Sequence, residues 1–281
     1  MAREFDSALS QYLEDGAVAV AAPPLAMVCW FNSNDIVNAY CFMSLCGAAS
    51  DVNNIALYAQ GAVGGDPLRL QMNDGGGWAI ADTTAGFAAG TWHHACGIWV
   101  GNLERRVLID GANKGVNTDA ANPTVNRTGI GVMCRATRVS FFDGLVAEAA
   151  VYDLSVWPGA TDSDKADNFE KILPSLAAGY SPRFYTLGLV GYWPLYRDDI
   201  DIVGGRDLTP FNGPTVIAHP RIILPVTPQV TTAGRRLAKC GKLQSLPGLT
   251  GQLKSEPKLE GQLKSEPKVT GIFGTPICSE D

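Results

Sequence analysis

The chain has three histidines, and their placement limits the chemistry they can do. His93 and His94 are adjacent, so on a strand they point to opposite faces and cannot hold one metal ion together. His219 is followed by Pro220, and nothing in the sequence pairs it with an activated Ser or Cys. There is no Gly-x-Ser-x-Gly, the sharp turn that exposes a serine nucleophile. Structural roles are therefore expected for both strand histidines, and no catalytic residues are assigned. The 7 cysteines stand at 29, 41, 46, 96, 134, 240 and 278. Their number is odd and no Cys-x-x-Cys occurs, so reduced, buried thiols and assembly in a reducing cytoplasm are expected rather than a zinc or disulfide framework. Gly75-Gly76-Gly77 lacks the Lys-Ser/Thr of a phosphate loop, and Asp198-Asp199-Ile200-Asp201 reads as a charged turn. Aromatic side chains offer a better route to binding. Tyr58, Trp78 and Phe87 lie near Gly-rich loops, whereas Trp30, Trp92, Trp99 and Trp193 read most simply as core.

The elements that must position these residues read as strands and turns. Leu25–Phe31, Tyr40–Leu45, Ile55–Ala59, Leu68–Met72, Trp92–Val100, Arg105–Ile109, Thr128–Met133 and Val139–Tyr152 are short apolar or alternating runs. Clusters of Gly, Asn, Asp and Pro separate them, the pattern of a sandwich or jelly roll. Asp110-Gly111 is the strongest hairpin signal, because a type I′ turn needs positive φ at both central residues. One helix is predicted over 161–178, with Thr161 or Asp162 as cap and Pro174 cutting it short. Strand-like pieces at 187–218 complete the sandwich.

The composition fits this reading. The 281 residues carry 31 Gly and 17 Pro, and the mean hydropathy is +0.04. The net charge of −6 argues against a nucleic-acid-coating protein. No run approaches the ~18 apolar residues that would span a membrane, and the opening Met-Ala-Arg-Glu-Phe-Asp shows no secretory signal pattern.

The sequence changes character after about residue 228. Following a linker at 229–240, Gly recurs at 241, 251, 261 and 271 and Pro at 247, 257 and 267. Leu243, Leu253, Leu263 and Phe273, and again Leu249, Leu259 and Val269, keep the same ten-residue period. All fall on odd positions, the period-2 signature of an extended strand with one dry and one wet face. The periodic Pro suits edge or interrupted strands. Residues 1–234 hold 14 Lys+Arg and 23 Asp+Glu, net −9; residues 235–281 hold 8 and 5, net +3; together they give −6. An acidic head on a basic extended arm is expected, with a reach on the order of 120 Å at ~3.3 Å per residue.

The run Thr91-Trp-His-His-Ala-Cys-Gly-Ile-Trp99, followed by Arg105-Arg-Val-Leu-Ile-Asp-Gly-Ala-Asn-Lys-Gly115, resembles the central hairpin of laminin-G-like, concanavalin A-like jelly rolls. Phe5-Asp-Ser with Gln11-Tyr-Leu13 looks like that family's opening strand. Phe142–Asp153 looks like its late strand. The resemblance covers about residues 3–157 and implies two antiparallel sheets face to face, with loops at one rim available for glycan or protein. The fold also hosts glucanases with a Glu-x-Asp-x-x-Glu strand. Here Glu148 stands alone, with Ala150 at the second carboxylate position, so no hydrolase is expected. Calcium, common in the family, would need donors such as Asp35, Asp74, Asp110 or Asp143. Each sits where Asp is the ordinary turn residue, and no metal ligands are assigned.

A plain Trp-His-His jelly roll with short apolar-Gly repeats is similar to bacteriophage virion components. The first expectation is thus a non-enzymatic virion structural protein, a capsid decoration or head or neck appendage assembled in the host cytoplasm. Its arm residues Leu243, Leu249, Leu253, Leu259, Leu263, Val269 and Phe273 would dock on capsid or neck proteins by β-augmentation, or intertwine with symmetry mates in a homo-oligomer such as a trimer. The alternative is a carbohydrate-binding tail-fibre module that reads cell-surface glycans, with Tyr58, Trp78 and Phe87 as its platform.

Overall fold

The computed structural model describes residues 2–196 and 198–225. The predicted linker and repeat arm, with all seven arm residues, lie outside the described residues. Fifteen strands and two helices follow in chain order: β1 (Ala2–Phe5), β2 (Tyr12–Asp15), β3 (Leu25–Ser33), β4 (Ala39–Cys46), β5 (Asn54–Gln60), β6 (Pro67–Asn73), β7 (Trp78–Gly86), β8 (His93–Gly101), β9 (Glu104–Ile109), β10 (Ala112–Asn117), β11 (Arg127–Ile130), β12 (Gly144–Asp153), α1 (Asp162–Glu170), α2 (Leu173–Ala177), β13 (Leu189–Trp193), β14 (Thr209–Phe211) and β15 (Thr215–Ile217).

The strands form two antiparallel sheets. Sheet A runs β10-β9-β8-β3-β12-β1-β15, with β13 also on β12; sheet B runs β14-β2-β11-β4-β5-β6-β7. This is the jelly-roll sandwich that the sequence implies. Period-2 alternation turns Leu25, Met27, Cys29 and Phe31 of β3 and Leu68, Leu70 and Met72 of β6 into one shared apolar core. Burying each such side chain contributes about 1.5–3 kcal/mol before entropy is counted.

The Asp110-Gly111 hairpin forms as predicted, with φ 52° and 71° and Ala112 paired to Ile109. Asp110 does more than turn the chain. Its carboxylate accepts from the His94 backbone N–H at 2.9 Å and lies 2.8 Å from His93 Nδ1. The turn and the Trp-His-His strand are therefore fastened to one another. The predicted opening strand is in fact two strands in opposite sheets, because a short 3-10 turn at Ser7–Leu9 carries the chain from β1 to β2. The predicted helix is also two helices. Thr161 caps α1 with a capping box, and Pro174 opens α2.

Both helices cover the outer face of sheet A. Phe169, Leu173 and Leu176 pack on Val28, Ile98 and Tyr152. Arg106 fixes α1 there, donating to Asp167 at 2.6 Å, Glu170 at 2.7 Å and Ser163 at 2.6 Å. Burial disfavours its charge, but the Glu170, Asp167 and Glu104 carboxylates outweigh this and hold the guanidinium firmly protonated.

Candidate functional site

With the helices over sheet A, the surface left for binding is the outer face of sheet B, and half of that is also covered. The segment 131–141 lies over β4, β5 and β11, where Val132, Met133 and Cys134 pack with Cys41, Cys46, Ala56 and Tyr58. The less covered part is β6 and β7, where Gln71, Ile80 and Asp82 are half-buried and Trp78 is exposed, although Asn73 is buried. Leu68, Leu70, Met72, Ala79 and Ala81 point into the core, so Arg69, Gln71, Asn73, Trp78, Ile80 and Asp82 lie on the opposite face. Pairing sets them in rows: Arg69 beside Asp82, Gln71 beside Ile80, Asn73 beside Trp78.

Arg69 and Asp82 form a bidentate pair, Nε and Nη2 donating to the two carboxylate oxygens at 2.7 and 2.8 Å. The Arg69 side chain is 16% exposed and that of Asp82 35%, and two of the five guanidinium N–H groups are used in the pair. Trp78, 45% exposed, stands at the other end of β7. Its turn is braced: Asn73 Oδ1 accepts from Gly75 N at 2.7 Å, and Asp74 accepts from Gly76 N and Asn122 N at 2.9 Å each. Those backbone donors, Asn122 first, hold the Asp74 carboxyl below its usual value. An exposed indole in line with a preorganised guanidinium–carboxylate pair and an amide can stack on a sugar ring and bond its hydroxyls.

Of the three aromatic residues expected as a platform, Trp78 alone is placed for it. Tyr58 pairs with Arg69 and shares its face, but it is 4% exposed because the 131–141 segment lies over it. Phe87 is 5% exposed and packs edge-on against Phe31, ring centroids 5.7 Å apart, because the chain turns inward after β7. Sequence reasoning missed Arg69 and Asp82, since only the β6–β7 register brings them together.

His93 is held between the Asp110 carboxylate at 2.8 Å and the Ala88 backbone N–H at 3.1 Å. His94 is buried, and burial lowers its pKa to about 4. The five described cysteines are buried and free, and burial pushes the Cys29 thiol up. The four turn aspartates do not converge. Asp35 binds Val37 N and Asn38, Asp74 its own turn, Asp110 the two histidines, and Asp143 the Asn34 amide at 2.6 Å. Among the described residues no three or more His, Cys, Asp or Glu side chains come together in a group that could hold a metal ion. None of the described helices is long and apolar enough to cross a membrane.

Two antiparallel sheets in this order define a concanavalin A-like jelly roll. A laminin G-type model described as the concanavalin A-like lectin/glucanases superfamily matches residues 10–157, over half of the chain, and the chain belongs to that family. No curated protein sequence matches it. Among solved structures it is similar to a putative carbohydrate binding protein from Bacteroides ovatus, at 16% identity and TM-score 0.52, over 76% of this chain and 58% of that one. It is also similar to a heptameric SAP-like pentraxin from Limulus polyphemus, at 15% identity and TM-score 0.42, over 51% and 70%. A third is the CBM40 of a Ruminococcus gnavus IT-sialidase bound to α2,3 sialyllactose, at 14% identity and TM-score 0.41, over 53% and 83%. At these identities the likeness concerns the fold.

Proposed function

We propose that the chain is a non-catalytic carbohydrate-binding module that takes a saccharide along the outer face of β6 and β7. The observation that carries this reading is the register of exposed Trp78 with the Arg69–Asp82 pair on the less covered part of sheet B. The indole stacks on one sugar ring, and Arg69, Asp82 and Gln71 bond the hydroxyls of the next. The alanines at 147, 149 and 150 support a non-catalytic reading, because they leave Glu148 without a second carboxylate at the neighbouring positions, the other one of the strand, Asp153, lying five residues on. A glycan array with the full chain tests the reading. Saccharide binding should fall about tenfold or more on Trp78→Ala, by loss of a stacking ring worth on the order of 1–3 kcal/mol, and similarly on Arg69→Ala. Thermal stability should be unchanged by the Trp78 substitution. Saccharide binding that survives both substitutions would move the site elsewhere.

A second reading is a virion structural protein, a capsid decoration, head or neck appendage or tail-fibre module assembled in a host cytoplasm. It is supported by the ten-residue repeat of apolar, Gly and Pro residues and by the acidic-head, basic-arm division of charge. In this reading the repeat holds the lectin-like head on a particle, and the head reads cell-surface glycans. The two readings are compatible, since one concerns the head and the other its attachment.

A further inference from the structure

Glu148 occupies a bulge. The pairing of β12 with β3 skips from Ala147 to Ala150, and Glu148 has φ 52°. Val146, Ala149 and Val151 enter the core between the sheets, while Ala150 and Tyr152 lie on the helix-covered face. A regular strand would carry Glu148, two residues after Val146, into that apolar core; the bulge turns it away. A non-glycine residue held in this region is strained, and such strain clusters where a side chain has a task.

The carboxylate lies at a groove of about 260 Å³ lined by Glu148, Tyr196, His219, Pro220, Ile222 and Leu224. Its Oε2 accepts from the Tyr192 hydroxyl at 2.5 Å, and Ser181 Oγ lies 3.0 Å behind that hydroxyl. His219 Nδ1 is 2.8 Å from the Pro220 carbonyl oxygen, which can only accept, so Nδ1 carries the hydrogen. In the tautomer with its one hydrogen on Nδ1, Nε2 is an acceptor. It faces Glu148 Oε1 at 3.3 Å and has no hydrogen-bond partner among the described residues. In that tautomer two acceptors stand side by side, and no described Lys or Arg lines the groove.

A hydroxyl has one hydrogen and can serve one of them. An ammonium has three hydrogens and the charge opposite to a buried carboxylate. The Pro220, Ile222 and Leu224 walls suit an aliphatic stem, and the Tyr196 ring suits a cation. Tyr196 and Leu224, 43% and 53% exposed, are the lining residues most open to solvent. We propose that this groove binds a primary ammonium group on an aliphatic stem, its head bridging Glu148 Oε1 and His219 Nε2.

Calorimetric titration of the full chain at neutral pH tests this with three probes: n-butylammonium, its uncharged analogue n-butanol, and Nα-acetyl-lysine N-methylamide. Butylammonium should bind at least about tenfold more tightly than butanol, and Glu148→Gln should remove about tenfold or more of that affinity, as expected for a lost charged hydrogen bond. Tyr196→Ala, at an exposed position, should also weaken binding and covers the case in which Glu148→Gln does not fold. Tighter binding of the lysine derivative would assign a peptide lysine as the occupant, and equal binding a free amine. Absence of binding, butanol binding as well as butylammonium, or binding indifferent to both substitutions would overturn the proposal.

Discussion

His94 carries a pH dependence that can be signed from its burial. In the fold its pKa falls from 6.5 to about 4, chiefly by desolvation, with Asp110 pulling weakly the other way. Between these values the unfolded chain binds a proton that the folded chain refuses, so stability rises with pH across the window. It is fully present above about pH 6.5 and falls by about 3 kcal/mol as pH drops toward 4. Urea midpoints measured from pH 7 to pH 4 should show this fall, and His94→Gln should flatten it. A variant with the same slope as the wild type would show that another group governs the window. The sequence made the opposite orientation of His93 and His94 legible, because adjacent strand positions alternate. It did not make Asp110 legible as their partner, since that contact joins two strands through a turn. Glu148 was visible only as a carboxylate in a run of alanines. The bulge that turns it outward follows from the pairing of β12 with both neighbours and has no local signal.

At the scale of elements, one close approach joins the two sheets next to the candidate saccharide face. A Cβ on Gly115 of β10 would collide with the backbone carbonyl of Asp82 in β7. Gly115→Ala must therefore push β10 and β7 apart, at a cost of about 2 kcal/mol or more. Because Asp82 belongs to the candidate face, the substitution should lower saccharide affinity together with the denaturant midpoint. An unchanged midpoint would mean that the edge yields freely. Strands with strong apolar or β-branched content, such as β3, β5 and β8, were readable from the sequence to within about two residues at their ends, whereas the run expected from Val139 began five residues ahead of β12 at Gly144. β7, Trp-Ala-Ile-Ala-Asp-Thr-Thr-Ala-Gly, was not, because its inward residues are alanines and carry little apolar signal. β10 is polar and exposed along most of its length, so it reads as a return loop. Missing β7 is also why Arg69–Asp82 stayed hidden.

At the scale of the molecule, the repeat arm and the head make separable claims. Replacing Leu253 and Leu263 by Asp removes two anchors of the ten-residue period without touching residues 2–225. If the arm attaches the protein to a particle, the double variant should lose particle occupancy while the head keeps its unfolding midpoint. Wild-type occupancy would show that the arm is not what attaches the protein, and would leave the saccharide reading standing. The head itself is bound together across its whole length. β1 lies between β12 and β15, with Arg3 beside Val146 on one side and Val216 on the other, and Arg3 Nε donates to Asp199 at 2.7 Å. During synthesis, Phe5 and its neighbours therefore leave the ribosome with no strand to join. At ~5–20 residues per second their second partner follows on the order of ten seconds or more later. The earliest strand is thus among the last to find its place, and a nascent head must be kept from aggregating until nearly all of it has been made.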